Sequence, residues 1–120
     1  MNFNIHERLI MKCNIVIANY NYSQWIEQCI KSTLSQTYKD IVISVVDDCS
    51  TDDSVKIALK TFDITSEPLE TDSYFLWQKD NKQVFKLKQN SGPSTARNTA
   101  IAFNINDCEL FSALDADDYI

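Results

Sequence analysis

"IVISVVDDCSTDDS", residues 41–54, is the stretch on which the fold turns. Its first part is rich in β-branched residues and apolar nearly throughout, as a parallel strand covered on both faces should be. It ends in carboxylates, Asp47 and Asp48. Ser50, Thr51 and Asp52 then offer side-chain oxygens that can cap a helix. The following "VKIALKTF" places Val55, Ile57, Ala58, Leu59 and Phe62 at roughly helical intervals. The unit is a buried strand, an acidic turn and a helix, with Asp52 and Asp53 read as caps.

The same alternation extends in both directions. Upstream, Cys13 to Ile17 reads as a buried strand feeding the polar loop "ANYN". From Ser23, a candidate N-cap, the residues Trp25, Ile26, Cys29, Ile30, Thr33 and Leu34 recur at helical spacing to about Thr37. Downstream, Pro68 and several acids break any helix, and two apolar runs flank Asp80 and Asn81. That pattern predicts a hairpin, Tyr74 to Trp77 against Val84 to Leu87, within an insert spanning about residues 72–88. Gly92 and Pro93 open a further helix through "STARNTAIAFNI", and "CELFSALDADD" supplies a last strand. Strands alternating with helices predict an α/β fold with a mainly parallel sheet and flanking helices.

Length and composition narrow the class. The 120 residues suit one domain, read as an extension over 1–11 and the domain proper over 12–120. Hydrophobic residues make up 44% and charged residues 23%, with no apolar run long enough to cross a bilayer. The opening residues lack the apolar run and cleavage site of a secretory signal, so the cytoplasm is the expected location. The cytoplasmic membrane face is the alternative. Cys13, Cys29, Cys49 and Cys108 contain no C-x-x-C pair and are read as reduced, structural thiols. A net charge of −6 opposes a broad phosphate-backbone footprint, so no nucleic-acid partner is expected. The single His6 has no Ser or Cys nucleophile motif near it, so a catalytic triad is not supported.

Ligands of open α/β sheets bind beyond the carboxyl ends of the strands. Right-handed crossovers would line up Tyr20, Asp48 and Asp115 along that edge. Asp115, Asp117 and Asp118 leave a buried strand together, and like charges so close call for a cation. Oxygen ligands suit Mg²⁺ or Mn²⁺, which characteristically takes one or two carboxylates plus phosphate oxygens of a substrate. Asp48 can accept the N–H of a base or a ribose hydroxyl, and the Tyr20 ring can stack on that base. Arg97 is the local counter-charge, either for a phosphate or, as an internal salt bridge, for Asp115 or Asp48.

Taken together, "NIVIANYNYSQWIEQCIKSTLSQTY", "VISVVDDCSTDDS", "NSGPSTARNTAI" and "LFSALDADD" resemble the N-terminal half of family-2 glycosyltransferases with the GT-A, Rossmann-like fold. The resemblance covers about residues 12 to 120. It implies a nucleotide-diphosphate-sugar donor, a divalent metal (Mn²⁺ or Mg²⁺), and transfer with inversion to an acceptor hydroxyl on a sugar, a lipid-linked glycan or a protein. Carried over by position, Ala18 and Tyr20 match the loop that holds the base, and Asp48 the acid that hydrogen-bonds it. Asp115 and Asp117 match the D-x-D pair, Asp115 on the ribose side and Asp117 as metal ligand. Arg97 matches an arginine of the donor site.

The sequence departs from that family in three places. Cys49 stands where the family has Gly in its D-D-G-S turn, which questions the positive φ expected there. The hairpin insert is longer than the usual link. The acceptor-binding half and the general base of the family are expected beyond Ile120, so the chain alone is expected to bind donor without turning it over. Two alternatives remain at this level: a receiver-like signalling domain, whose acid pair should however follow the first strand, and a nucleotide-binding remnant without activity.

Overall fold

In the computed structural model, residues 12–35 and 40–117 are described. The proposed extension 1–11, the end of the first predicted helix at Thr37, and Asp118 lie outside them.

The elements alternate as expected: β1 (Cys13–Asn19), α1 (Ile26–Leu34), β2 (Ile41–Asp47), α2 (Ser54–Thr61), β3 (Leu69–Glu70), β4 (Tyr74–Lys79), β5 (Lys82–Leu87), α3 (Pro93–Asn104) and β6 (Leu110–Asp115). They form one six-stranded sheet in the order β3-β4-β5-β2-β1-β6. β5, β2, β1 and β6 run parallel, while β3 and β4 are antiparallel additions on one side. Every residue of the central β2 is buried, which explains its lack of polar alternation.

Alternate residues of the central strands β1, β2 and β5 feed two cores. Ile17, Ile43, Val45 and Val84 pack with Ile26, Cys29 and Ile30 of α1 and Ala58 of α2. On the opposite face Val16, Val46, Phe85 and Leu87 pack with Ala96 and Ala100 of α3. This second face also contains a polar island that periodicity does not reveal. Asn14, Ser44, Gln83 and Asn104 are all buried. Asn104 Nδ2 donates to Asn14 Oδ1 (3.1 Å), to Gln83 Oε1 (2.9 Å) and to Ala100 O (2.9 Å), and its Oδ1 accepts Gln83 Nε2 (3.1 Å). Ser44 Oγ donates to Gln83 Oε1 at 2.7 Å, and Asn14 Nδ2 donates to Ser44 Oγ at 3.0 Å. The last residue of α3 is thereby fixed to three adjacent strands.

The differences from the sequence reading are local. α1 starts at Ile26, not at a cap on Ser23; Trp25 is its N-cap and makes no side-chain cap bond. Ser23 instead donates its N–H to Asp52 Oδ2 at 3.0 Å, because a turn from Tyr22 precedes the helix. The hairpin is longer than read: Lys79 pairs with Lys82 across Asp80 and Asn81, and Asp80 takes a φ of 54°. β3 was not foreseen, since two exposed residues after Pro68 carry no alternation; it pairs Leu69 with Leu76 and Glu70 with Phe75.

Replacing Asn104 with Leu keeps the branched shape but removes the amide that Asn14 Oδ1 and Gln83 Nε2 are bonded to, leaving Ser44 to hold what remains of the island. The expected loss is about 2–4 kcal/mol, summed over polar groups left unsatisfied, read from the urea unfolding midpoint. A loss below about 0.5 kcal/mol, the scale of an ordinary surface change, would show that the island does not hold α3.

Candidate functional site

The parallel strands end together because their register is nearly unstaggered: Asn19 pairs with Asp47, and Ala18 with Asp115. Two further main-chain bonds extend the ladder past the strand ends, Asp48 N–H to Asn19 O and Ala116 N–H to Ala18 O, both 2.9 Å. Beyond this edge lies a cavity of about 310 Å³ lined by Ala18, Asn19, Tyr20, Tyr22, Asp48, Asn90, Gly92, Pro93, Ala96 and Asp115. Four of the residues singled out from sequence, Ala18, Tyr20, Asp48 and Asp115, therefore meet at one cavity.

Arg97 reaches the same place indirectly. Its Nη2 donates to Asp115 Oδ1 at 3.1 Å, with the two side chains 33% and 41% exposed. The internal salt bridge is thus present, and it sits at the cavity wall. Arg97 Nε is buried without a partner among the described residues. Asp117 lies in the exposed turn after β6 and does not line the cavity. Ala116 between the two acids is fully buried in the α1/α2 core, which anchors the turn that carries them.

The acids after β2 have divided roles. Asp47, 1% exposed, accepts Asn19 Nδ2 (2.8 Å), Ser50 N–H (2.8 Å) and Ser50 Oγ (2.6 Å). Ser50 Oγ in turn accepts the N–H of Asn21 at 2.9 Å, and Asn21 Oδ1 accepts that of Thr51 at 2.9 Å. These bonds stitch the loop after β1 to the loop after β2 and hold Tyr20 at the rim. Asp48 faces the other way. Its Oδ1 accepts Ser91 N–H at 2.7 Å and its Oδ2 accepts Gly92 N–H at 2.9 Å.

Asp52 serves as the expected cap of α2: its Oδ1 accepts the N–H of Ser54 at 3.0 Å and also the Ser54 hydroxyl. Asp53, the formal N-cap residue, makes no such bond. Burial alone raises the Asp52 pKa, but hydrogen bonds from Ser54 and Ser23 more than offset it, leaving the carboxyl below its ordinary value. Cys49 keeps the backbone geometry expected of glycine, with φ 63°. The turn is retained although its usual residue is replaced.

A larger groove, about 610 Å³, lies between α2 and the hairpin, lined among others by Lys56, Lys60, Trp77 and Lys86. Volume alone favours it, yet it lacks convergent strand ends and the paired acids of β6. The cavity at the carboxyl edge is where the chemistry collects. Of its lining, Asn19, Tyr22, Asn90 and Ala96 were not singled out from sequence. Asn19 lies in the loop "ANYN" after the first apolar run, and Asn90 and Ala96 lie within "NSGPSTARNTAI", so the motifs covered them without marking them as site residues.

A mostly parallel sheet with helices on both faces and ligand groups at its carboxyl edge defines a GT-A, Rossmann-like domain. Residues 14–120 match the family described as Glycosyl transferase family 2, and the chain belongs to that family. Among relatives, an uncharacterized glycosyltransferase of Nostoc sp. is 32% identical over 108 residues, covering 90% of this chain and 29% of the relative. The Escherichia coli UDP-Glc:alpha-D-GlcNAc-diphosphoundecaprenol beta-1,3-glucosyltransferase WfaP is 36% identical over 108 residues, covering 88% and 35%. Among solved structures, Staphylococcus aureus TarS 1–349 in complex with UDP superimposes with a TM-score of 0.71 at 30% identity, covering 92% of this chain and 28% of that one. The mannosyltransferase PcManGT of Pyrobaculum calidifontis, solved with GDP-Man and Mn²⁺, reaches 0.71 at 21% identity over 89% and 28%, a likeness of fold. The chain thus spans little more than a third of these proteins at most. Family membership displaces the receiver-like alternative.

Two stability predictions follow from the turn after β2. Cys49→Gly removes a left-handed penalty of roughly 1–2 kcal/mol against a glycine entropy cost of roughly 0.5–1 kcal/mol, so unfolding should be about 0.5–1 kcal/mol less favourable. A higher urea midpoint checks this; a lower one would mean the thiol's own contacts dominate. Asp52→Ala should cost about 1 kcal/mol at neutral pH. Because the folded pKa is depressed, that contribution is present above the ordinary Asp value near 4 and fades as pH falls through the folded value. Wild type and variant should therefore converge in acid denaturation, and a gap independent of pH would contradict the capping role.

Proposed function

We propose that this chain forms the donor-binding part of a glycosyltransferase that moves a sugar from a nucleoside diphosphate to an acceptor hydroxyl, with inversion at the anomeric carbon. The observation that carries the reading is the convergence of Tyr20, Asp48 and Asp115 on the carboxyl-edge cavity, with Arg97 held against Asp115 at its wall. Support from outside the chain comes from TarS, a structure of similar fold and 30% identity solved with UDP.

In this reading the Tyr20 ring, 44% exposed at the rim, stacks on the base. Asp48 accepts from the base through lone pairs that its bonds to Ser91 and Gly92 leave available. Ala18, buried at the end of β1, keeps the floor small enough for the nucleoside to enter. Arg97 turns from Asp115 toward the diphosphate and stabilises charge on the departing nucleoside diphosphate.

Asp115 and Asp117 fit a hard divalent cation such as Mn²⁺ or Mg²⁺, since both offer carboxylate oxygens and both are partly or fully exposed. A cation of this kind held by one or two carboxylates takes its remaining ligands from the diphosphate and water. When bound, the ion supplies positive charge against the leaving group. Among the described residues no helix is long and apolar enough to cross a membrane. The location we propose, the cytoplasm or the cytoplasmic membrane face, follows the donor-site reading.

Calorimetric titration of uridine diphosphate with Mn²⁺ tests the assignment. Wild type is expected to bind more tightly with the ion than without it, and Asp117→Ala to lose roughly tenfold or more, about 1.4 kcal/mol, of the metal-dependent part alone. Unchanged affinity in Asp117→Ala would sink the metal role.

A further inference from the structure

We propose that Asp48 is a positioning residue for the phosphate end of the donor site: its carboxylate fixes the entrance of α3, and through it Arg97. The proposal rests on the donor-site reading above and goes beyond a contact with the base.

Asp48 is 5% exposed, and a carboxylate buried that deeply needs donors. Among the described residues no cationic side chain pairs with it. Its carboxylate accepts two main-chain groups of a loop more than forty residues away, Ser91 N–H on Oδ1 and Gly92 N–H on Oδ2, and the Asp48 main-chain carbonyl accepts the side-chain Nδ2 of Asn90 at 3.2 Å. Successive N–H groups converging on one anion form a strong, directional clamp.

Gly92 shows what that clamp demands of the backbone. It is the sole glycine of the chain and sits at φ 92°, ψ 160°, a region essentially reserved for glycine. A Cβ there would meet nothing within 4 Å, so the requirement is torsional and not one of space. Pro93 then starts α3, Arg97 follows one turn later, and its guanidinium reaches Asp115, whose Cα partner is Ala18 of β1. Asp48, the 90–92 loop, α3, Arg97 and Asp115 close a ring around the cavity. Loosening the ring at Asp48 therefore disturbs Arg97, a group that Asp48 does not touch.

The consequence separates two roles. A residue that only contacts the base affects ligands that have a base. A residue that positions Arg97 affects inorganic diphosphate too. In the full chain, Asp48→Asn keeps the size but sets an NH₂ against one of the two N–H donors. It is expected to weaken uridine diphosphate and inorganic diphosphate, each titrated with Mn²⁺, by roughly tenfold. Amide exchange in the unliganded protein should accelerate at Ser91, Gly92 and the first turn of α3 while the β2 amides keep their protection. Gly92→Ala, which leaves the carboxylate intact, should reproduce the diphosphate loss.

Weakened uridine diphosphate with unchanged inorganic diphosphate would overturn the proposal and leave Asp48 a base contact only. Unchanged exchange at Ser91 and Gly92 would overturn it equally, and uniform acceleration across the sheet would reduce Asp48 to general stability. Wild type that binds neither ligand would overturn the donor-site reading itself, and the proposal with it.

Discussion

Two carboxylates buried at the end of the central strand set the terms for the rest of this molecule. Asp47 and Asp48 are 1% and 5% exposed, and neither meets a cationic side chain among the described residues. Taking a carboxylate out of water costs several kcal/mol unless hydrogen bonds replace the lost hydration, on the order of the penalties seen for buried ions. The donors must come from side chains and from loops, because the strands on either side use their own N–H groups in the ladder. Asp47 draws in Asn19 and Ser50; Asp48 draws in Ser91 and Gly92. Three loops from distant parts of the chain are thus gathered at one edge, and the cavity is the space between them.

The helix α3 shows how such local needs fix a larger element. At its start the 90–92 loop is bound to Asp48, and at its end Asn104 enters a polar island with Asn14, Ser44 and Gln83. Between these points its fully buried contacts with the sheet are Ala96 and Ala100, small side chains that allow close approach but specify rotation and register poorly, flanked by Ile101 and by Phe103, whose ring meets Phe85 edge-on at 5.5 Å. The polar bonds at both ends supply the directionality that small apolar contacts lack. Arg97 lies between the two anchors, and its meeting with Asp115 follows from them.

Much of the fold was readable because β2 is apolar nearly throughout and is followed by an acidic, cap-rich turn; that pattern has few other solutions than a parallel strand feeding a helix. The hairpin was readable from Asp80 and Asn81 between apolar runs, although its strands extend two residues further on the turn side, where Gln78, Lys79, Lys82 and Gln83 break no pattern but announce none. The island was invisible for a specific reason. Asn14 and Ser44 occupy strand positions where a polar residue ordinarily means a solvent-facing side, and only the placement of Asn104 from 90 residues later makes those positions interior. Ser23 misled because a good capping residue is defined by where its backbone lies, and here a turn from Tyr22 intervenes. Cys49 shows the converse: the family turn survives without its glycine because Asp47 and Ser50 on either side hold the backbone at φ 63°.

The pair formed by Arg97 and Asp115 unites two readings that look opposed in the sequence. As a salt bridge with both side chains a third or more exposed, it contributes little to stability, roughly 0–1 kcal/mol for pairs of this kind. A weak pair opens at little cost, so an arginine parked against the first acid of the D-x-D segment remains available to a stronger anion. A diphosphate carries more charge than one carboxylate and accepts a guanidinium in bidentate fashion, so the exchange is favourable once such a ligand is present. Until then the pair keeps Arg97 at the cavity wall, and the arginine moderates the repulsion between Asp115 and the carboxylate two residues on. The structural and the ligand-binding roles of Arg97 are therefore successive states of one side chain under the donor-site reading, with the weakness of the first making the second accessible.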